Sequence, residues 1–240
     1  MCLFFLPNNI VFGNVGQRLA EKLFLSVTSN DDTQTIEILS GLAKIDASEL
    51  SLELNTDKEK FAFWINIYNS HILFFLKKNP EWYLNRNLFF KKKLIVIAGE
   101  QLSFDLIEHG ILRKSAIKYS LGYLNKWCVS KFEKQFRVKN NDPRLHFALN
   151  CGAKSCPIIK LYNSETLDLE LDKNTRYYLS LNVELGKDYI SLPLLFSWFR
   201  ADFGGKKGIR SFLEKYEITS KNDCKKKIIF SDYDWTLELN

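Results

Sequence analysis

The stretch from Asp57 to Lys78 constrains the fold of this chain more than any other part of the sequence. Its apolar residues recur at spacings of three and four, which predicts an α-helix, and further apolar residues occupy the remaining sides. A helix that is apolar nearly all round is buried by its own domain. Asn79 and Pro80 follow directly and predict the end of the helix. We therefore predict a buried central helix over residues 57–78.

Shorter patterns on both sides of this helix predict a mixture of helices and strands. Because the two kinds of element do not alternate regularly, we predict an α+β fold: a mostly antiparallel sheet packed against helix 57–78 and several further helices. Residues 46–55 are predicted to be a connection. Helical patterns cover residues 15–27, 33–45, 103–113, 115–137, 164–181, 194–203 and 208–216, and strand patterns cover 94–103, 144–150, 183–192 and 227–230.

Length and composition favour a single domain. The 240 residues would fit one large or two small domains, but no Pro/Gly/Ser-rich linker divides the sequence. We predict that residues 1–56 form an N-terminal helical segment of the same domain and that residues 57–240 form its core. Apolar residues make up 46% and aromatic residues 14% of the chain, so the core should be large and rich in rings.

The charge pattern and the chain termini limit the expected partners. A net charge of +6 permits weak contact with anionic surfaces. No nucleic-acid-binding motif accompanies the lysines, so no nucleic-acid partner is predicted. No run of about 20 apolar residues predicts an integral membrane segment, and the N-terminus lacks the features of a signal peptide. We expect a soluble cytoplasmic protein, or an exported or periplasmic one if the true start lies upstream, with an unknown small-molecule or peptide ligand and no cofactor.

The cysteines differ in their surroundings. Five cysteines in a chain of this length do not indicate a disulfide framework. Cys128 lies among apolar residues and is predicted to be a buried small side chain. Cys2 and Cys224 lie near the chain ends. Cys151 and Cys156 lie among polar, turn-forming residues, and this makes them the candidates for chemistry.

The segment 142–157 holds the densest set of reactive side chains in the sequence. Its alternation predicts a strand over residues 144–150 that carries Arg144, His146 and Asn150 on one face. Such a face is too polar for an ordinary core strand. We therefore expect a functional site at the end of this strand.

Three interpretations of this site remain open. In the first, Cys151 is a nucleophile, His146 is its base and Cys156 is the second candidate nucleophile of a hydrolase or an acyl or amide transferase. In the second, both cysteines are buried and the histidine is a hydrogen-bonded core residue. In the third, His-x4-Cys-x4-Cys binds a metal, although structural zinc sites usually place paired cysteines closer together.

Two other features add candidate residues. Asn66 and Asn69 form a polar seam along helix 57–78, and buried amides of this kind either orient a catalytic histidine or bind a neighbouring loop. Glu108 and His109 are adjacent on a predicted helix. Adjacent helical residues point in different directions, so at most one of the two is expected to face the site.

Four blocks of the sequence resemble the hallmark blocks of domain-of-unknown-function family 547. The resemblance covers roughly Asp57 to the C-terminus, and it lies in residues 63–69, 105–113, 142–157 and 232–237. The family has no established activity to carry over. It occurs in bacteria, often as a single exported or anchored domain, and in plants beside coiled-coil or glutaredoxin-like segments. A non-enzymatic interaction or scaffold module is therefore the alternative function.

The resemblance also implies which positions belong to the site. Ser70 and His71 depart from the small and apolar residues more typical of the family at those positions. Among the matching positions, a catalytic role is predicted for Cys151, His146, Cys156, Asn66, Asn69, Glu108 and His109, and a substrate-binding role for Arg144 and Asn150.

Overall fold

Four α-helices open the part of the chain that the computed structural model describes, residues 14–239. The predictions of helices at 15–27, 33–45 and 57–78 are confirmed. The predicted connection at 46–55 is wrong, because Asp46 caps a short helix by accepting the backbone N–H groups of Ser48 and Glu49. The four helices are α1 (Val15–Thr28), α2 (Asp32–Lys44), α3 (Ala47–Glu53) and α4 (Asp57–Lys78).

Helix α4 is buried along most of its length. A capping box between Thr56 and Glu59 begins it, and every residue from Lys60 to Leu73 is buried. Its Trp64 ring meets neighbouring aromatic rings edge to face, with centroid distances of 4.9–6.2 Å. Helices α1 to α4 contribute to the larger of two hydrophobic clusters. The all-round apolar pattern thus corresponds to a helix surrounded by other elements.

Within residues 14–239, five short strands form two small sheets. β1 (Ile95–Ile97) and β2 (Glu100–Leu102) form an antiparallel hairpin within the strand pattern predicted over residues 94–103. β3 (Glu184–Leu185) and β4 (Tyr189–Pro193) are also antiparallel, whereas β5 (Lys227–Ser231) runs parallel to β4. The single α+β domain is confirmed. Its strands form two separate small sheets, the second of them mixed, and not one mostly antiparallel sheet.

The remaining helices are short apart from α7 and α9. The predicted helix at 194–203 is limited to four residues, and its continuation is a series of turns. These elements are α5 (Arg86–Lys91), a π-helix (Leu106–Leu112), α6 (Lys131–Phe136), α7 (Leu167–Asn182), α8 (Leu195–Trp198), α9 (Gly205–Lys215) and 3-10 helices at Pro80–Asn85, Pro143–Phe147 and Lys221–Lys225.

The predicted helix at 115–137 is wrong over most of its length. Residues 114–130 form an irregular loop in which Leu121 and Gly122 have positive φ angles, and helical structure begins only at Lys131. Cys128, predicted to be buried, is exposed in this loop. Cys2 lies outside the described residues, so its surroundings stay a prediction.

The predicted strand at 144–150 is also wrong. The Asp142 side chain accepts the N–H of Arg144 and caps the segment. Pro143 suits the first helical position, where a backbone N–H would have no partner within the helix, so a 3-10 helix starts there. Leu145, His146 and Phe147 are all buried, so their side chains do not alternate between a buried and an exposed face. No helix within residues 14–239 is both long and apolar enough to cross a bilayer.

Candidate functional site

One cavity of about 400 Å³ collects side chains from distant parts of the chain. Five of the predicted site residues line it: Glu108, His109, His146, Cys151 and Cys156. Most of the rest of its wall is aromatic or aliphatic. Those side chains are Tyr68, Phe90, Tyr119, Leu121, Leu149, Pro157, Leu195, Trp198, Phe199, Tyr233 and Trp235.

The two cavity cysteines form a thiol pair. Their sulfur atoms are 2.9 Å apart, and the backbone N–H of Cys151 donates to Cys156 Sγ over 3.0 Å. The Tyr233 hydroxyl lies 3.2 Å from Cys156 Sγ and 3.7 Å from Cys151 Sγ. Among residues 14–239 neither sulfur has a hydrogen bond to a histidine. The sulfurs therefore contact each other and a tyrosine, where the sequence suggested an imidazole.

The two thiols of the pair are not equivalent. Burial raises the pKa of Cys156, but hydrogen bonds from Cys151, from the Tyr233 hydroxyl and from backbone N–H groups outweigh it and hold the pKa below its ordinary value. The hydrogen bond to Cys156 raises the pKa of Cys151 well above the ordinary value, and burial adds to it. These opposite directions favour Cys156 over Cys151 as the thiol that ionises first.

A turn formed by residues 150–157, which we call the cysteine turn, is held by two asparagines. The Asn150 side chain accepts the N–H of Gly152 over 2.7 Å and donates to the carbonyl of Pro157 over 2.8 Å. The Asn69 side chain donates to the carbonyl of Ala148 and accepts the N–H of Asn150. Both amides therefore bind backbone groups, and they position the residues that carry the sulfurs.

Two other predicted residues bind protein groups away from the cavity wall. Asn66 pairs with both backbone groups of Tyr162 at 2.7 and 3.0 Å. Arg144 lies in ion pairs with three aspartates, Asp142, Asp168 and Asp172. Asn66, Arg144 and Asn150 are not among the residues that line the cavity. The substrate-binding role of Arg144 and Asn150 stays a prediction.

The histidines of the cavity belong to a second group, the imidazole network of His146, Asp202, Arg113 and His109. His146 donates from Nε2 to Asp202 Oδ2 over 2.8 Å, and its ring stacks on Phe199 with centroids 3.9 Å apart. Arg113 binds both Asp202 oxygens at 2.6 and 3.1 Å and donates to His109 Nδ1 over 2.9 Å. Asp202 therefore orients the imidazole as a carboxylate does in a catalytic triad.

Burial sets the protonation states of this network. It lowers the pKa of His146, although the hydrogen bond to Asp202 partly opposes it, so the ring is neutral at about pH 7. Burial would raise the pKa of Asp202, but the hydrogen bonds from His146 and Arg113 outweigh it and lower that pKa. With its proton on Nε2, the neutral His146 ring carries its lone pair on Nδ1.

Glu108 and His109 both line the cavity, so the prediction that at most one faces the site is wrong. They lie on the π-helix Leu106–Leu112, whose larger number of residues per turn brings neighbouring side chains closer in direction. The Tyr68 hydroxyl donates to Glu108 Oε2 over 3.4 Å. Burial raises the pKa of Glu108, but His109 and Arg113 outweigh it and hold the pKa below the ordinary value.

Sequence analysis missed Asp202 and did not single out Arg113, Tyr68 or Tyr233. Tyr233 lies within the C-terminal block that resembles the family, and Arg113 ends another such block, so those blocks were the available signal. Asp202 lies in no block, and nothing in its neighbourhood points to His146. Its role depends on a contact across 56 residues of sequence.

The third interpretation of the sequence, a metal bound by His-x4-Cys-x4-Cys, has no counterpart in the described residues. Within 14–239, no group of three or more histidine, cysteine, aspartate or glutamate side chains is arranged to hold a metal ion. The Nε2 of His146 is directed to Asp202, and the sulfurs are directed to each other. His146 and the two cysteines lie close together in the sequence but therefore belong to two different groups, the imidazole network and the thiol pair.

Comparison with known families gives one match. Residues 52–179 match the family described as "Protein of unknown function, DUF547". No curated protein and no solved structure matches the chain. The matched region includes both cavity cysteines and both cavity histidines, whereas Asp202 and Tyr233 lie beyond its end.

Proposed function

The chain belongs to the DUF547 family, whose description names no activity, and we propose that it is a cysteine-dependent hydrolase or acyl or amide transferase with Cys156 as its nucleophile. The ligand would be a small molecule or a peptide bound in the 400 Å³ cavity. The observation that carries this proposal is the set of three polar groups within hydrogen-bond distance of Cys156 Sγ: the Cys151 backbone N–H, which donates to it, the Cys151 sulfur and the Tyr233 hydroxyl.

A thiolate is the reactive form of cysteine, and hydrogen-bond donors that stabilise it make it available near neutral pH. In the proposed reaction, Cys156 Sγ attacks a carbonyl carbon, and the alcohol or amine that leaves takes its proton from the Cys151 thiol. Water or an acceptor nucleophile, deprotonated by His146, then attacks the thioester and frees the Cys156 thiolate, and the proton on His146 returns to Cys151. We favour Cys156 over Cys151 as the nucleophile because Cys156 Sγ accepts a backbone N–H and lies nearer the Tyr233 hydroxyl.

Proton transfer in this reaction is assigned to His146. A general base must be neutral and oriented, and the His146–Asp202 pair supplies both conditions in the wall of the same cavity. The pair would deprotonate the water or acceptor that resolves the thioester. Asn69 and Asn150 act as positioning residues, because they hold the cysteine turn through backbone hydrogen bonds.

The cavity wall favours a substrate with an apolar or aromatic acyl group. The Trp198, Tyr233 and Trp235 rings pack against one another at tilted angles with centroid distances of 4.6–5.6 Å, and the Tyr233 hydroxyl lies beside the sulfurs. Apolar ligand pockets with a few polar groups are the common form of small-molecule sites. Glu108 and His109 would then bind the polar part of the substrate.

An activated ester tests the proposal, because its acyl group can be found on the nucleophile as a thioester before water removes it. Trypsin cuts after Lys154, so Cys151 falls in peptide 145–154 and Cys156 in peptide 155–160. Incubation with p-nitrophenyl butyrate and a short digestion should place the butyryl group on peptide 155–160. Cys128→Ser, which removes an exposed thiol, should react like the wild type, and Cys156→Ser should form no adduct on that peptide.

Two outcomes would count against this function. A butyryl group spread over the exposed thiols of Cys128 and Cys224, with none on peptide 155–160, would contradict a selective nucleophile. If the variant His146→Gln forms the Cys156 adduct and hydrolyses it at the wild-type rates, His146 has no part in the mechanism. The alternative, an interaction module with structural cysteines, predicts the first of these outcomes.

A further inference from the structure

The distance between the two sulfurs is too short for an incidental contact and close to what a bond requires. The atoms are 2.9 Å apart, and a disulfide needs about 2.05 Å. The cysteine turn holds both residues through the Asn150 side chain and through the Cys156 N–H, which donates to the Ala153 carbonyl over 2.9 Å. A small rotation of the side chains is therefore enough to join the sulfurs.

The pair is also asymmetric in a way that sets an order of events. Cys156 Sγ accepts the Cys151 backbone N–H, and it lies 3.2 Å from the Tyr233 hydroxyl, whereas Cys151 Sγ lies 3.7 Å from it. In thiol–disulfide exchange the better thiolate attacks first, and a neighbouring thiol resolves the mixed disulfide. Both sulfurs line the cavity, so a substrate that reaches one also reaches the other.

We propose that Cys151 and Cys156 are a redox pair that reduces an organic disulfide, from a small thiol or a peptide, and closes into a disulfide of their own. This inference depends on the proposed nucleophilic role of Cys156 and adds Cys151 as the resolving thiol. It also adds a second reaction to the acyl chemistry of the same cavity.

The electrons and atoms balance in two steps. Cys156 thiolate attacks one sulfur of RSSR, a Cys156–SR bond forms, and RS⁻ leaves. Cys151 then loses its proton to a departing thiolate and attacks Cys156 Sγ, which expels the second RS⁻. Overall, the two cysteines are oxidised to one disulfide and RSSR is reduced to RSH and RS⁻.

The test uses 4,4′-dithiodipyridine, an uncharged aromatic disulfide, on the full chain carrying Cys2→Ser, Cys128→Ser and Cys224→Ser. We expect two equivalents of thiopyridone and a protein mass lowered by two hydrogens. Peptides 145–154 and 155–160 should then be joined. In the same background, Cys151→Ser should release one equivalent of thiopyridone and keep the pyridylthio group on peptide 155–160. The reaction of Cys156→Ser should be slower by about tenfold or by more.

The readouts separate this inference from the proposed function. Two retained pyridylthio groups, one on each peptide, would overturn the redox pair, because each thiol would then react alone. If Cys156 still takes up butyrate in that case, the proposed nucleophile survives. A disulfide that forms without any butyryl adduct would support the redox pair and remove the acyl chemistry.

A second inference concerns the loop 114–130, which has an unusual surface. Trp127 is 99% exposed, Tyr119 75%, Leu124 61% and Tyr123 60%. The segment 114–132 holds four lysines and no aspartate or glutamate. Two of these lysines pair with acids outside the segment, Lys118 with Asp105 and Lys126 with Glu133.

Exposed aromatic rings beside lysines are the composition of segments that bind the interface of anionic membranes. We infer that loop 114–130 docks on an anionic lipid surface, with Trp127 and its neighbours among the headgroups. Lys118, Tyr119 and Leu121 also line the cavity, so docking would bring the lipid surface beside the site. The charge of the segment has the sign that this partner requires.

Co-sedimentation with vesicles tests this inference. We expect the chain to pellet with phosphatidylcholine vesicles that contain phosphatidylserine, to pellet less with pure phosphatidylcholine, and to be released by salt. Trp127→Ser should lower the bound fraction several-fold, whereas Leu52→Ser, at a residue 78% exposed elsewhere, should not. Absence of binding at low salt, or equal loss in both variants, would overturn the inference.

Discussion

The thiol pair and the imidazole network line the same cavity but are built differently. Cys151 and Cys156 come from one short turn and are held by backbone groups and neutral amides. His146, Asp202 and Arg113 come from three separate segments, and two of them are fully buried charges that bind each other. The first group depends on local geometry, whereas the second depends on electrostatic compensation between distant parts of the chain.

This difference predicts how each group responds to change. Removing one member of a buried ion pair leaves an uncompensated charge, which costs far more than the pair itself contributes. Removing a hydrogen bond to a thiolate changes a pKa but leaves no charge stranded. The imidazole network should therefore control the stability of the domain, and the thiol pair should control its reactivity.

Asp202→Ala should give the largest effect, because it leaves the Arg113 guanidinium buried without its carboxylate. We expect a loss of about 3–5 kcal/mol in the free energy of unfolding, measured by urea denaturation. The matched control is Glu217→Ala, which removes an exposed partner of Arg176 and should cost about 0–1 kcal/mol. Equal losses of stability in the two variants would show that the imidazole network does not control the stability of the domain.

Gly152→Ala tests whether local geometry alone holds the cysteine turn. Gly152 has a φ of +87°, and a Cβ there would lie 2.8 Å from the Leu76 side chain. We expect a loss of about 1–3 kcal/mol in stability. Gly41→Ala is the control: the site lies in helix α2 with an ordinary 3.5 Å contact, so it should gain about 0.5–1 kcal/mol. A stable Gly152→Ala would show that the turn tolerates other conformations.

Acid should weaken the domain through the imidazole network. Burial lowers the pKa of His146 and of His109, so the unfolded chain binds protons first as the pH falls through about 6.5. The free energy of unfolding should therefore decrease between about pH 7 and pH 5. His146→Gln should make the decrease shallower but not abolish it, because burial also lowers the pKa of His71, to about 4. An unchanged slope in that variant would contradict the assignment.

Tyr233→Phe should leave the fold intact and change reactivity alone. It removes a hydrogen bond to the Cys156 thiolate, so the pKa of Cys156 should rise. Labelling of peptide 155–160 by iodoacetamide at about pH 6 should become roughly two- to tenfold slower. Tyr123→Phe, in the exposed loop, should label at the wild-type rate. A rate unchanged in Tyr233→Phe would show that the tyrosine does not stabilise the thiolate.

Sequence patterns located the thiol pair because its parts lie close together in the chain. The cysteines, their turn residues and Asn150 fall within one segment. Helix α4 was predicted from the apolar residues on all its sides. The predicted strand at 144–150 failed because alternation cannot distinguish a strand from a 3-10 helix that Asp142 and Pro143 begin.

The imidazole network could not be predicted in the same way. His146 and Asp202 are 56 residues apart, and Arg113 and Asp202 are 89 apart, so only the folded chain brings them together. The π-helix was equally hidden, since its sequence reads as an ordinary helix. Pattern analysis therefore identified the reactive atoms but not the groups that set their protonation.

The ion pair between Arg113 and Asp202 bears on where this chain can be cut into fragments. The family match ends at residue 179, and Asp202 and Tyr233 lie after it. A recombinant fragment that ends at residue 179 would contain the Arg113 guanidinium, which is buried in the folded chain, but not the Asp202 carboxylate that binds it. Such a piece would lack both the counter-ion of its histidine and the phenol beside its thiols. We therefore expect the smallest unit that folds on its own to extend at least through Tyr233, beyond the end of the family match.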